Sequence, residues 1–299
     1  MDESLQKHYE QVKNYIDFIN KSNKTKDVFY SFMSVFKKDI TNKDIEDTIL
    51  FQALDLLLSD NKSDFCRILK KGDIFYRARI IDNDILEYAK DYGLHSSSEG
   101  FLSGFNEANS KEPPISVSPA GRNNYMGASY LYLSETPITA VAEVNPQSLD
   151  LISVAKFRIN KQIKVVDFSN NASIKKLNEF EIKHGISASI LITLVMQQYG
   201  TPVSKPEEYA ATQYISDLIR KMGYDGIIYK SSKTEDANLT VFTCHKKYIS
   251  YVNSTIMLFQ ANVPIMYDLN TNEKFSTKID DIDKIAIDKL KRDLYLIIK

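Results

Sequence analysis

The stretch Ser118–Pro146, SPAGRNNYMGASYLYLSETPITAVAEVNP, joins a turn rich in Gly, Asn and Arg to a strand and then to a capped helix. Tyr130–Ser134 (YLYLS) is an aromatic and aliphatic run of strand length. Thr136 then stands where an N-cap hydroxyl can accept a hydrogen bond from a freed helix N–H. Pro137 follows at the first helical position, where its missing N–H costs nothing. The pattern predicts a short helix that ends near Val144 and carries one carboxylate, Glu143. Ahead of the strand, Gly121, Asn124 and Gly127 read as turn formers, because these residue types tolerate backbone conformations that others resist.

Upstream, GDIFYRAR alternates Ile74, Tyr76 and Ala78 with Phe75, Arg77 and Arg79, the period of a strand whose second face carries cations. The first sixty residues change period. Leu5, Tyr9, Val12, Ile16 and Ile19 recur at helical spacing, as do Phe29, Phe32 and Phe36, and Thr41 with Asp44 opens a third helix bearing Ile45, Ile49 and Leu56. An N-terminal helical module over 1–64 is therefore predicted, followed by a second domain over 65–299. His95–Ser118 reads as a long irregular connection, a kind of loop that is usually functional or disordered.

Downstream, strands are predicted at Leu151–Ile159, Ile163–Phe168, Gly226–Tyr229 and Leu239–Thr243, with helices at Ile186–Gln198 and Glu207–Met222. Short apolar runs follow at Ile256–Gln260 and Val263–Tyr267, then a final helix from Asp280. Strands and helices mixed in this way give an α+β class.

Composition limits the function. The 299 residues hold 38 Lys plus Arg against 39 Asp plus Glu, so the global basic excess of a non-specific nucleic-acid binder is absent. Lys outnumbers Arg 31 to 7, and four of the seven arginines, Arg67, Arg77, Arg79 and Arg122, cluster in one stretch. A guanidinium fork suits phosphate or carboxylate better than an ammonium does, although ordinary surface charge explains such a cluster equally well.

Cys66 and Cys244 form no metal or redox spacing, and the polar N-terminus lacks a signal-peptide core, so a reduced, cytoplasmic, soluble protein is expected. The longest apolar run, Ile190–Met196, falls far short of the ~20 residues of a membrane span. His8, His95, His184 and His245 are scattered without ligand spacing, and no metal site is expected. Walker, dinucleotide-fingerprint, zincin and nucleophile-elbow motifs are all missing, as is an Arg followed four to six residues later by His.

Taken in order, YRAR at Tyr76–Arg79, GRNNYMG at Gly121–Gly127, YLYLSETPITAVAEV, and GYDGIIYKSS at Gly223–Ser232 with NLTVF behind it resemble the RES domain family. The resemblance covers about Lys71–Lys246, and the family's arginine, glutamate and serine fall on Arg77, Glu143 and Ser231, with Ser232 the alternative for the last. It implies a mixed β core with flanking helices, like that of the ADP-ribosyltransferase toxins. It also implies cleavage of NAD+ between nicotinamide and ribose, with NAD+ as substrate and no cofactor, and an antitoxin or regulatory protein as partner. Asn123 stands where the family often has an aromatic residue. The helical N-terminus and the C-terminal tail are additions to the short form of the family, longer members with an N-terminal helical domain are the closer match, and the N-terminus offers a surface for homo-oligomers.

On this reading Glu143 stabilises the oxocarbenium-like ribose, because a carboxylate lowers the energy of positive charge that develops beside it. Arg77 and Arg122 grip the pyrophosphate, and Ser231 holds the ribose or orients Arg77. Gly121, Asn124 and Ser232 line the ligand, while Tyr76, Tyr132 and Tyr229 are candidates to stack on its rings. Outside the resemblance, Glu143 is equally a solvated acid, Arg77 half of an ion pair and Ser231 a turn residue. Two other functions use the same residues: ADP-ribosyl transfer to a macromolecule or to phosphate, and nucleotide binding without turnover.

Overall fold

The computed structural model describes residues 65–96, 102–169, 209–242 and 248–259, with scattered positions at 51, 54–55, 58, 195–196, 198–200, 265–267, 274–276, 289, 292–294 and 296. The first two predicted N-terminal helices, most of the third, most of the Ile186–Gln198 helix, most of the final helix, and His8, His184, Cys244 and His245 lie outside the described residues.

In chain order the strands are β1 (Cys66–Leu69), β2 (Ile74–Ile81), β3 (His95–Ser96), β4 (Leu102–Ser103), β5 (Leu131–Ser134) and β6 (Leu151–Ile159). They continue with β7 (Ile163–Asp167), β8 (Gly226–Lys230), β9 (Ala237–Val241), β10 (Ile249–Leu258), β11 (Ile265–Tyr267) and β12 (Lys274–Ser276). The helices are α1 (Asn83–Glu87), α2 (Glu107–Ser110), α3 (Pro137–Glu143) and α4 (Ala210–Lys221). The class is α+β, as expected. The 95–118 connection is less irregular than predicted, since β3 pairs with β4 and α2 follows, capped by Asn106.

Two compact units divide the chain. The first takes Met1–Ile68, Pro114–Tyr130 and Lys164–Ser232. Its strands lie in the order β1-β7-β8, with β7 and β8 parallel through Val165↔Gly226 and Asp167↔Ile228. Val165, Val166, Ile227 and Ile228 are buried with Ile215, Leu218 and Ile219 of α4. The near-continuous apolar reading of β7 and β8 follows from burial on both faces. An aromatic file, Phe65, Phe168, Tyr199 and Tyr229, runs through this unit with successive ring centroids 6.3, 5.7 and 5.0 Å apart. Gly223 ends α4 at φ +82°, the left-handed conformation that glycine adopts without a Cβ clash.

The second unit takes Leu69–Pro113, Leu131–Ile163 and Lys233–Lys299. Its sheet has the order β9-β5-β2-β6-β10 and is antiparallel throughout. One face of β2 and β6 carries Ala78, Ile152 and Val154, which pack under Ala140, Val141 and Val144 of α3 and its C-cap. The other face carries Ile81, which packs with Leu94 and Phe105. Strand β10 is longer than its apolar run predicted, because its polar residues find partners: Tyr251 Oη and Ser254 Oγ both donate to the Phe105 carbonyl, at 3.0 and 2.7 Å.

Candidate active site

Strand geometry sorts the candidate residues of the second unit. Tyr76 lies opposite Ser134 across β2 and β5, and Ser134 lies opposite Asn238 across β5 and β9. Residues directly opposite in an antiparallel pair share a face, so Tyr76, Ser134 and Asn238 form a row. Tyr132 and its partner Thr240 extend the same face by the two-residue period. Tyr76 also packs against the cluster beneath α3, which identifies this row as the α3 face.

Arg77 and Arg79 alternate onto the opposite face, beside Ala155 and Ser153. Arg79 Nη2 donates to the Lys111 carbonyl at 2.8 Å, and burial lowers the pKa of its guanidinium. Arg77 has contacts of its own, yet its Nη1 atom is buried with no hydrogen-bond acceptor among the described residues.

Helix α3 starts as its sequence predicts. Thr136 Oγ1 accepts from the Thr139 N–H at 3.2 Å, and Pro137 is the first helical residue. The 234–238 segment is laced along this helix. Asp236 Oδ2 accepts from Thr136 Oγ1 at 2.8 Å and from Thr139 Oγ1 at 3.1 Å, and Thr234 Oγ1 lies 2.8 Å from Thr139 Oγ1. One helical turn on, at the i+4 position from Thr139, Glu143 Oε1 accepts from Asn238 Nδ2 at 2.7 Å. Asn238 Oδ1 in turn accepts from Ser134 Oγ at 2.7 Å. Glu143 itself is exposed, whereas Asn238 and Ser134 are buried. An ionised oxygen held from below by a buried amide, with its side chain open to solvent, can face a cationic ligand. The carbonyl end of a helix adds partial negative charge at the same place.

The Gly-Arg turn belongs to the first unit and is wired as a rigid piece. Asn124 Nδ2 donates to the carbonyls of Pro119, Tyr125 and Ala128 at 2.8, 3.0 and 2.7 Å. Gly127, at φ +81°, donates its N–H to the Ser118 carbonyl at 3.0 Å. Helix α4 clamps the turn from one side: Gln213 Nε2 donates to the carbonyls of Gly121 and Asn124, both at 2.9 Å. Arg122 Nη1 donates to the Gln198 carbonyl at 2.9 Å, and its guanidinium carbon lies 5.8 and 5.9 Å from the ring centroids of Tyr209 and Tyr229.

Asn123 is buried and accepts from Tyr199 Oη at 2.7 Å and from Ser216 Oγ at 2.6 Å. Burial holds the Tyr199 phenol well above the usual tyrosine range, so it stays a neutral donor. Ser231 is buried immediately after β8, and Ser232 is half-buried.

Among the predicted residues, then, the second unit gathers Tyr76, Tyr132 and Glu143 on one side of its sheet and sets Arg77 on the other. Gly121, Arg122, Asn124, Ser231 and Ser232 are in the first unit. Sequence reasoning missed Ser134, Asp236 and Asn238. The signal for Asn238 was present in the NLTVF motif, but only strand pairing connects it to Glu143. Among the described residues no cluster of three or more His, Cys, Asp or Glu could hold a metal ion, and no helix is long and apolar enough to cross a membrane.

A family model described as RES domain matches residues 102–262, more than half of the 299 residues. No curated protein matches the chain significantly. Among solved structures, a chain in the crystal structure of the M. tuberculosis MbcT–MbcA toxin–antitoxin complex is 11% identical, with 70% of this chain and 91% of that chain covered and a TM-score of 0.38. A likeness that slight carries no argument about mechanism or partners.

Proposed function

We propose that this chain, which belongs to the RES domain family, breaks NAD+ between nicotinamide and ribose, with Glu143 as the carboxylate beside the reacting carbon. The observation that carries the reading is the exposed Glu143 at the end of α3, one oxygen held by a buried amide, on the sheet face that also bears Tyr76 and Tyr132. A carboxylate so held stabilises positive charge as it develops on the ribose.

In the reaction the bond from ribose C1 to the nicotinamide nitrogen breaks. Its electron pair neutralises the pyridinium, and water adds to the ribose carbon and releases one proton, giving ADP-ribose and nicotinamide. The leaving group is already cationic, so no general acid has to protonate it. Tyr76 and Tyr132 supply rings for stacking on the ligand. Arg122 is the proposed pyrophosphate contact, with Ser231 or Ser232 at the ribose and Gly121 and Asn124 shaping the turn, whereas Arg77, which projects from the opposite face of β2 to Glu143, is not part of the proposed set. Phosphate in place of water would give the phosphorolytic version of the same step.

The proposed physiological role is a cytoplasmic toxin or anti-phage effector that depletes NAD+, restrained by an antitoxin or regulatory protein. The 1–64 segment is the proposed partner-binding or self-associating module, and 65–299 the catalytic domain.

The test is to incubate the purified chain with NAD+ and follow nicotinamide release by chromatography, with Glu143→Gln alongside. Release by the wild type and a loss of at least about 100-fold in the variant is the expected result. Undiminished release by Glu143→Gln would remove the carboxylate from the mechanism. ADP-ribose, its 1-phosphate or a labelled macromolecule would identify the acceptor.

A further inference from the structure

We propose that Asn238, backed by Ser134, is the positioning residue for the Glu143 carboxylate, so that the catalytic oxygen is placed by the pairing of β5 with β9 and not by α3 alone. The inference rests on the NAD+ reading above and deepens it.

A glutamate at the end of a seven-residue helix has three rotatable bonds and an exposed head, so the helix fixes its Cα and little else. Asn238 supplies what is missing. Its amide has one accepting end and one donating end. Ser134 Oγ donates to the accepting end at 2.7 Å, which turns the donating end, Nδ2, onto Glu143 Oε1 at 2.7 Å.

Asn238 and Ser134 are only 5% and 4% exposed, and they sit opposite each other in the ladder, so neither can swing without disturbing the sheet. A hydrogen bond from a fixed, desolvated donor to an ionised acceptor is of the stronger, charge-assisted kind. The second anchor lies two residues earlier, where Asp236 grips Thr136 and Thr139. Together Asp236 and Asn238 hold the start and the end of α3 from one strand approach.

A merely structural role, in which the two bonds only satisfy buried polar groups, predicts lost stability with unchanged turnover. A positioning role predicts lost kcat with little change in KM, because a displaced carboxylate weakens the transition state more than the ground state.

The experiment measures nicotinamide release, kcat and KM for the full chain carrying Asn238→Leu, Ser134→Ala or Ser134→Thr, each also in the Glu143→Gln background. Asn238→Leu should lower kcat about 30- to 100-fold with KM within about 3-fold. Ser134→Ala should lower it about 5- to 10-fold by the same reasoning, and Ser134→Thr, which keeps the hydroxyl, should recover most of that loss. In the Glu143→Gln background none of the three should lower the residual rate further.

Wild-type kcat in both Asn238→Leu and Ser134→Ala would overturn the proposal, as would losses confined to KM. If Asn238→Leu does not fold, the two Ser134 variants decide the matter by the same criterion. If the wild type releases no nicotinamide, the NAD+ reading fails, and the positioning is decided separately by the side-chain amide resonance of Asn238 in 15N-labelled protein. A signal that moves on both Glu143→Gln and Ser134→Ala supports the hydrogen-bonded chain, and one that moves on neither overturns it.

Discussion

Replacing Thr139 by Val tests whether polar bonds, rather than packing, anchor the helix that carries Glu143. Thr139 is fully buried, so its hydroxyl cannot exchange its partners for water. Thr139 Oγ1 lies 3.1 Å from Asp236 Oδ2, to which it can only donate, and shares hydroxyl–hydroxyl contacts with Thr234 Oγ1 at 2.8 Å and Thr136 Oγ1 at 2.9 Å. A hydrogen bond to a charged acceptor contributes about 1.5–3 kcal/mol and a neutral one about 1 kcal/mol. Valine keeps the β-branch, and its extra methyl returns at most ~0.8 kcal/mol. The expected loss is therefore roughly 2–3 kcal/mol.

Thr139→Ser is the control. It keeps the hydroxyl and loses one methyl, at a cost of about 1 kcal/mol. Urea unfolding followed by far-UV circular dichroism reads both variants, with the midpoint falling at unchanged m-value. The order wild type, Ser, Val is expected. A Val variant within about 0.5 kcal/mol of wild type, or one more stable than Ser, would refute the polar anchor and leave α3 held by the Ala140 and Val141 packing alone.

Two pH-dependent outcomes follow from a buried and a half-buried group in the first unit. Tyr224 Oη donates to the Leu58 carbonyl at 3.0 Å, and burial first, then Cys66 and Asp55, push the phenol up to about 12. Its folded pKa exceeds the unfolded value near 10. The stability it contributes is thus complete below pH 10 and lost as the pH rises toward about 12. Tyr224→Phe should flatten that alkaline decline in the unfolding midpoint, and an identical decline would exclude Tyr224 as its source.

The Asp217 carboxyl is also raised, by burial, against the opposing pull of Arg220. Ionised Asp217 is therefore a cost above its folded pKa that vanishes once both states are protonated. Asp217→Asn should raise the midpoint at pH 7 and leave it unchanged at pH 3, whereas a lowered midpoint at pH 7 would mean that the Arg220 contact outweighs desolvation.

How much of this was legible in the sequence depended on how far apart the interacting residues stand. Strand β2, the strand-to-helix step at Ser134–Pro137 and helix α4 were legible because alternation, a Thr N-cap with Pro at the first helical position, and helical spacing are local signals. Asn123 was read as a missing aromatic residue, since its partners Tyr199 and Ser216 stand 76 and 93 positions away. Strand β10 was half hidden because its polar residues pair with Phe105, some 146–149 positions back.

The site shows the same limit more sharply. Motif reading sets Tyr76 and Arg77 side by side, and alternation says only that they face opposite ways. The packing of α3 on Ala78, Ile152 and Val154 decides that Tyr76 has the face of Glu143. Asn238 then reaches Glu143 across 95 residues of sequence, and Ser134 reaches Asn238 across 104. A motif therefore marks which side chains matter at the site. Strand register decides which of them can act on the same bond, and here it joins Glu143 to two residues, Ser134 and Asn238, that the motif's own three letters leave out.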